Sequence, residues 1–239
     1  MSVLLRSCLF VAFQIIVTPP FSIISVLTFP FDAFTRYRII RNWARVNLWA
    51  VATICGIRYR VIGAENIPAQ ACVVLSKHQS AWETLAFQMI FPPQVYVLKR
   101  ELLWIPFFGW GLAMLSPVAI DRKAGMRALK QMLTQGAERL TRGFWIIVFP
   151  EGTRIAPGAR GAYQTGGAAI AAHAGAPVLP VAHNAGTCWR RHAFRKYPGT
   201  ITVSIGKPID SRGRKAEALT REVENWIEAE MPRLEHGGA

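Results

Sequence analysis

Val73-Val74-Leu75-Ser76-Lys77-His78-Gln79-Ser80-Ala81-Trp82-Glu83 is the stretch that decides how this chain folds. An apolar run long enough for a short buried strand is followed by a polar turn and then by Ser-x-x-Glu, the pattern that opens a helix. A strand feeding directly into a helix is the elementary unit of an α/β sheet. The order also sets His78 at the carboxyl end of a strand, where open α/β sheets place their ligands. Glu83, five residues on, has two roles open to it. It can bond one ring nitrogen of His78, fixing the tautomer and leaving the other nitrogen as a general base. Alternatively, it can bond the backbone N–H of Ser80, as the acid of a capping box does.

The same alternation continues on both sides. Apolar runs at 58–62, 72–76, 94–99, 114–120, 144–149, 177–182 and 200–205 predict strands. Patterns at 80–90, 123–141, 163–174 and 212–231 predict helices. The expected fold over residues 58–239 is therefore α/β, a largely parallel or mixed central sheet flanked by helices.

Residues 1–57 read differently, as an N-terminal hydrophobic membrane-associated helical segment. No charge occurs from Ser7 to Phe31, and 25 residues suffice to cross a bilayer's hydrocarbon core. Pro19-Pro20, near the middle, predicts a break or sharp kink. The segment is then either a kinked spanning helix or two short helices dipping into one leaflet. No A-x-A-like site comes after it, so removal as a signal peptide is not expected. Next, Arg38, Arg41, Asn42 and Arg45 recur on one helical face, with Ile39, Ile40, Trp43 and Val46 opposite. Such a helix either lies in a membrane interface or packs its apolar face on the protein core. Its cations place the α/β region, from residue 58 on, at the cytoplasmic side.

Composition narrows the function. Of 239 residues, 51% are hydrophobic and only 18% charged, which excludes disorder. Twenty-eight basic residues against 14 acidic ones give a net charge of +14. Residues 217–239 hold six of the acids, leaving 26 bases against 8 acids in the first 216 residues. That field calls for an anionic partner, and joined to high hydrophobicity it favours membrane lipid over nucleic acid, for which no module is present. The four cysteines form no C-x-x-C pair, which suits a reducing compartment. His183, Cys188 and His192 lack a fourth ligand, so no metal is expected. The α/β-hydrolase elbow and the P-loop are both absent.

A second motif, Phe149-Pro150-Glu151-Gly152-Thr153-Arg154, comes directly after the apolar run at 144–148. It therefore also lies at a strand's carboxyl end. Gly152 supplies backbone freedom for a tight turn, and Arg154 offers a planar fork suited to phosphate or carboxylate. Together the two motifs resemble the glycerolipid acyltransferase family, in particular its bacterial 1-acylglycerol-3-phosphate acyltransferase branch, whose hallmark is H-x-x-x-x-D followed by F-P-E-G-T-R. Two further blocks match: Lys99-Arg100-Glu101-Leu102 with Ile105-Pro106-Phe107-Phe108-Gly109 and Asp121-Arg122, and Val178-Leu179-Pro180-Val181. Glu83 departs from the family's usual Asp, and Lys77 from its frequent Asn.

The resemblance implies that His78 deprotonates a lysophospholipid hydroxyl with Glu83 orienting it, and that the hydroxyl attacks acyl-CoA or acyl-acyl carrier protein without a cofactor. It assigns Glu151, Gly152 and Arg154 to acceptor binding, and Lys99, Arg122 and Arg154 are the cations expected on the glycerol phosphate. It places the protein at the cytoplasmic (inner) membrane. Trp104, Phe107, Phe108 and Trp110 are expected to line an acyl tunnel or to serve as core. Two readings compete: an acyltransferase for another lysolipid such as lyso-ornithine lipid, and a non-catalytic basic membrane-surface protein in which Glu83 only caps.

Overall fold

The computed structural model describes residues 1–121 and 124–236. Its centre is a seven-stranded mixed sheet, in the order β1 (Ile57–Ile62), β7 (Gly199–Ile205), β6 (Val178–His183), β2 (Val73–Ser76), β5 (Trp145–Val148), β3 (Gln94–Lys99) and β4 (Val118–Ile120). All neighbouring pairs are parallel except β6 with β7. The helices are α1 (Val3–Leu27), α2 (Ala33–Ala50), α3 (Trp82–Ile90), α4 (Phe108–Met114), α5 (Met126–Thr141), α6 (Gly166–Ala174), α7 (Ala185–Cys188) and α8 (Ala216–His236).

Residues alternate across the sheet with the period of two that strand geometry demands. Val74, Trp145, Ile147, Leu179 and Val181 point to one face, covered by α2 and α3 with Phe10 of α1. Val73, Leu75, Ile146 and Val148 point to the other, covered by α5, α6 and α8. Strands β2 and β5 are buried along their whole length, which is why they read as unbroken apolar runs.

The expected 114–120 strand is shorter than its apolar run. Met114 closes α4, and only Val118–Ile120 pair with β3. The expected 123–141 helix is described from Met126.

The N-terminal segment is continuous with this architecture. Phe10, Ala44, Leu48 and Val51 share one core with Val74, Trp82 and Leu179. The apolar face of α2 is thus occupied by protein, and Trp43 donates its Nε1–H to Thr18 Oγ1 at 3.3 Å. Arg38 and Arg45 remain exposed on the other face.

Helix α1 runs through Pro19 and Pro20 as one continuous helix, so the pair does not break it. The prolines withdraw two N–H donors, yet contacts on both sides of them hold the helix together. Gln14 Nε2 donates to Asn47 Oδ1 at 3.2 Å, Thr18 accepts from Trp43, and Ser22 Oγ donates to the Phe107 carbonyl at 2.6 Å. Tertiary partners of this kind let helices in apolar surroundings tolerate proline. Ser7, Gln14, Thr18, Ser22 and Ser25 thus form a polar stripe turned to the protein, while Leu4, Leu5, Leu9, Ile15, Ile16, Ile23, Ile24 and Leu27 are exposed. The helix is long and apolar enough to cross a membrane, and this exposed apolar surface is a membrane-associating one.

Candidate active site

Strand order builds the site. In β2, β5 and β3, three neighbouring parallel strands end at one edge of the sheet. Their carboxyl ends deliver His78, the loop of Gly152 and Arg154, and Lys99 in that sequence. The next strand, β4, ends at Ile120; Arg122, the remaining expected cation, lies outside the described residues.

Glu83 carries out both roles the sequence offered, with a single oxygen. Its Oε1 accepts from His78 Nδ1 at 2.8 Å, from Ser80 N–H at 2.8 Å and from Gln79 N–H at 3.0 Å. The side chain has no solvent exposure. Burial alone would raise its carboxyl pKa. The His183 ring, the hydrogen bond and charge of His78 and the Ser80 amide outweigh it and hold the pKa below the ordinary value, so the group is ionised. An ionised carboxylate only accepts, so Nδ1 carries the proton and the Nε2 lone pair is free to act as a base. The imidazole plane is fixed a second time by Phe149, stacked 4.0 Å away at 15°.

The Pro-Glu-Gly turn closes with Gly152 N–H on the Phe149 carbonyl at 2.9 Å, and Gly152 takes φ +65°, a conformation that favours glycine. Ile155 N–H donates to the His78 carbonyl at 2.7 Å, locking the two loops together. Arg191 Nη1 donates to the Arg154 carbonyl, fixing the arginine's backbone from the far side.

Glu151 has a different place from the one expected of it. It lies beneath His78 and does not line the cavity. Its side chain is fully buried, 2.8 Å from Lys77 Nζ through Oε1, and its Oε2 accepts the His78 N–H at 3.0 Å. Burial pushes its carboxyl pKa up, against the pull of Lys77 and of that amide. Glu151 supports the loop that carries His78, and Lys77 pairs it, since buried charge is tolerable only when paired. His183, also fully buried, presents Nε2–H to the Lys77 carbonyl at 2.8 Å and accepts Ala185 N–H at Nδ1, 3.3 Å. Burial lowers its pKa, against the pull of the Glu83 carboxylate and of the Lys77 carbonyl.

In front of His78 opens a cavity of about 340 Å³. Lys99, Gly152 and Arg154 line it beside His78, and an apolar wall runs away through Leu98, Leu102, Leu112, Leu115 and Trp43. Helix α1 completes the wall with Thr18, Phe21, Ser22 and Ser25, residues that sequence reading did not assign to the site. Their signal was the recurrence of small polar residues every three or four positions in an otherwise apolar helix. Of the four aromatics expected at a tunnel or in the core, only Phe108 lines this cavity. Trp104 is 71% exposed, and Phe107 and Trp110 are exposed as well. Phe107 and Trp110 pack on each other at 5.0 Å between ring centroids, and the Phe107 carbonyl ties the start of α4 to α1 through Ser22.

A base on a carboxylate, cations beside it and an apolar recess before it can activate a hydroxyl on an amphiphile that carries an anionic group. Residues 58–184 match the family model described as Acyltransferase. A 1-acyl-sn-glycerol-3-phosphate acyltransferase of Pseudomonas aeruginosa is 49% identical over 209 residues, covering 86% of this chain and 80% of the relative. The 1-acyl-sn-glycerol-3-phosphate acyltransferase alpha of Mus musculus is 30% identical over 196 residues, covering 80% of this chain and 68% of the relative. The crystal structure of the 1-acyl-sn-glycerophosphate acyltransferase of Thermotoga maritima has the same fold. Its TM-score is 0.77 over 98% of this chain and 95% of that one, at 24% identity. Motif, geometry and relatives agree: the chain belongs to the acyltransferase family.

Proposed function

We propose that this acyltransferase moves a fatty acyl group from acyl-CoA or acyl-acyl carrier protein to the free hydroxyl of 1-acylglycerol-3-phosphate, giving phosphatidic acid. The observation that carries the reading is the buried Glu83 Oε1 at 2.8 Å from His78 Nδ1, at the mouth of an apolar cavity edged by Lys99 and Arg154.

His78 Nε2 takes the hydroxyl proton as the oxygen attacks the thioester carbonyl. The tetrahedral intermediate collapses, the C–S bond breaks, and the leaving thiolate takes the proton back from the imidazolium. Glu83 stabilises that imidazolium and holds the ring in place, and the base so positioned contributes about 10²–10⁴-fold. Arg154, Lys99 and Arg122 hold the phosphate, fixing the hydroxyl beside the base, and Gly152 leaves room for its approach. The acyl chain lies along Leu98, Leu112 and Leu115. This sequence of steps needs no cofactor.

The exposed apolar face of α1 and the arginines of α2 support a site docked at the cytoplasmic leaflet of the inner membrane, with the α/β body on the cytoplasmic side. The acceptor then enters from the bilayer.

The test is acyl transfer from a labelled thioester to 1-acylglycerol-3-phosphate in micelles, with lyso-ornithine lipid as a parallel acceptor. Wild type is expected to form phosphatidic acid, and His78→Ala to lose at least about 10²-fold. Acylation of the other lipid alone would replace the acceptor, and activity indifferent to His78 would remove the dyad.

A further inference from the structure

We propose that α8, at the far end of the chain, is a positioning element of the active site, acting through Glu228 and Glu235 on the backbone that carries His78. Neither residue lines the cavity, and α8 packs on the opposite face of the sheet from α3.

The first connection is a chain of charges. Glu228 Oε1 accepts from Lys77 Nζ at 2.9 Å and from the Tyr163 hydroxyl at 2.8 Å. Lys77 Nζ is 2.8 Å from Glu151 Oε1 and also donates to the Ala159 carbonyl at 3.2 Å. Glu151 Oε2 then holds the His78 N–H. Lys77 is only 1% exposed, with two carboxylates and one carbonyl around its ammonium. Without Glu228 the Lys77–Glu151 pair loses its anchor on α8, and Glu151 is the acceptor that fixes the His78 backbone.

The second connection lies two turns further on. Glu235 accepts from Gln79 Nε2 at 3.2 Å and from Gly158 N–H at 3.1 Å, while Gln79 Oε1 accepts Gly186 N–H at 3.1 Å. Asn184 Nδ2 adds a bond to the Leu234 carbonyl at 2.9 Å. Residues 77 and 79 are thus both tied to α8, on either side of His78. A base displaced by a fraction of an ångström loses reactivity without losing its substrate, because alignment enters the chemical step rather than binding.

The kinetic part of the inference rests on the acyl-transfer reading; the structural part does not, and the test separates them. In Glu228→Gln, kcat is expected to fall about tenfold with KM for both substrates within about twofold. Glu228→Asp, which keeps the charge, is expected to retain at least about half of kcat. Glu235→Gln, on the outermost turn, is expected to lose about threefold and decides the matter should Glu228→Gln fail to fold. In the same samples the His78 Nδ1–H proton resonance, which requires no substrate, is expected to shift in both Gln variants and to stay in place in Glu228→Asp. A folded Gln variant with wild-type kcat and an unmoved resonance overturns the inference, as does a loss confined to KM. An inactive wild type counts against the acyl-transfer reading alone, and the resonance then decides for or against α8.

Discussion

The two longest helices, α1 and α8, are built with opposite polarity. In α8 the buried stripe is Leu219, Val223, Ile227, Met231 and Leu234, and the acids pair with surface arginines or, as Glu228 and Glu235, with Lys77 and Gln79. In α1 the stripe turned to the protein is mostly polar, Ser7, Gln14, Thr18, Ser22 and Ser25 with Phe10 among them, and the exposed isoleucines and leucines face away. Each helix sorts its residues by the same rule, burying what its surroundings reject. Water surrounds α8, whereas the outside of α1 is suited to hydrocarbon, where a polar side chain without a protein partner is the costly one.

Three substitutions test that contrast, the largest effect first. Ile227→Ala empties a fully buried site on α8 and is expected to cost about 2–5 kcal/mol of unfolding free energy by denaturant titration in micelles. A cost under about 1 kcal/mol would mean that α8 is held by its ion pairs and not by its apolar stripe. Ile16→Ser, on the outward face of α1, is expected to weaken binding to phospholipid vesicles about tenfold. It should shift unfolding by no more than about 0.5 kcal/mol. Vesicle binding equal to wild type would break the comparison at its root. Ser22→Ala removes the hydroxyl that holds the Phe107 carbonyl and is expected to cost about 0.5–1.5 kcal/mol, read from the same titration. A neutral result would assign the α1–α4 junction to packing alone.

Much of this molecule was legible in its sequence, and the gaps have physical causes. The limits of β3, Gln94–Lys99, could be read directly because prolines precede it and charges come after it. The stretch from 114 reads as one strand because a short apolar run carries no period that separates strand from helix end. The 7–31 segment was legible as membrane-associated, but the proline rule applied to it describes an isolated helix, and Gln14, Thr18 and Ser22 have partners dozens of residues away. At the site, His78 with Glu83 and Phe149 to Arg154 could be paired because local spacing and a family resemblance both pointed to them. Glu151 could not be separated from its neighbours Gly152 and Arg154. Its burial depends on Lys77 and, through it, on Glu228, at a sequence distance no local pattern spans.

One oxygen of Glu83 receives two backbone amides and the His78 imidazole, while its Oε2 has no hydrogen-bond partner among the described residues. The opening of α3 and the orientation of the His78 ring therefore depend on the same atom. Hydrogen exchange at the Gln79 and Ser80 amides consequently clocks how often the His78–Glu83 pair comes apart, since neither amide reaches solvent without the carboxylate being disturbed. On heating, activity should fade with the fraying of this single turn, at temperatures where the sheet behind it is still intact.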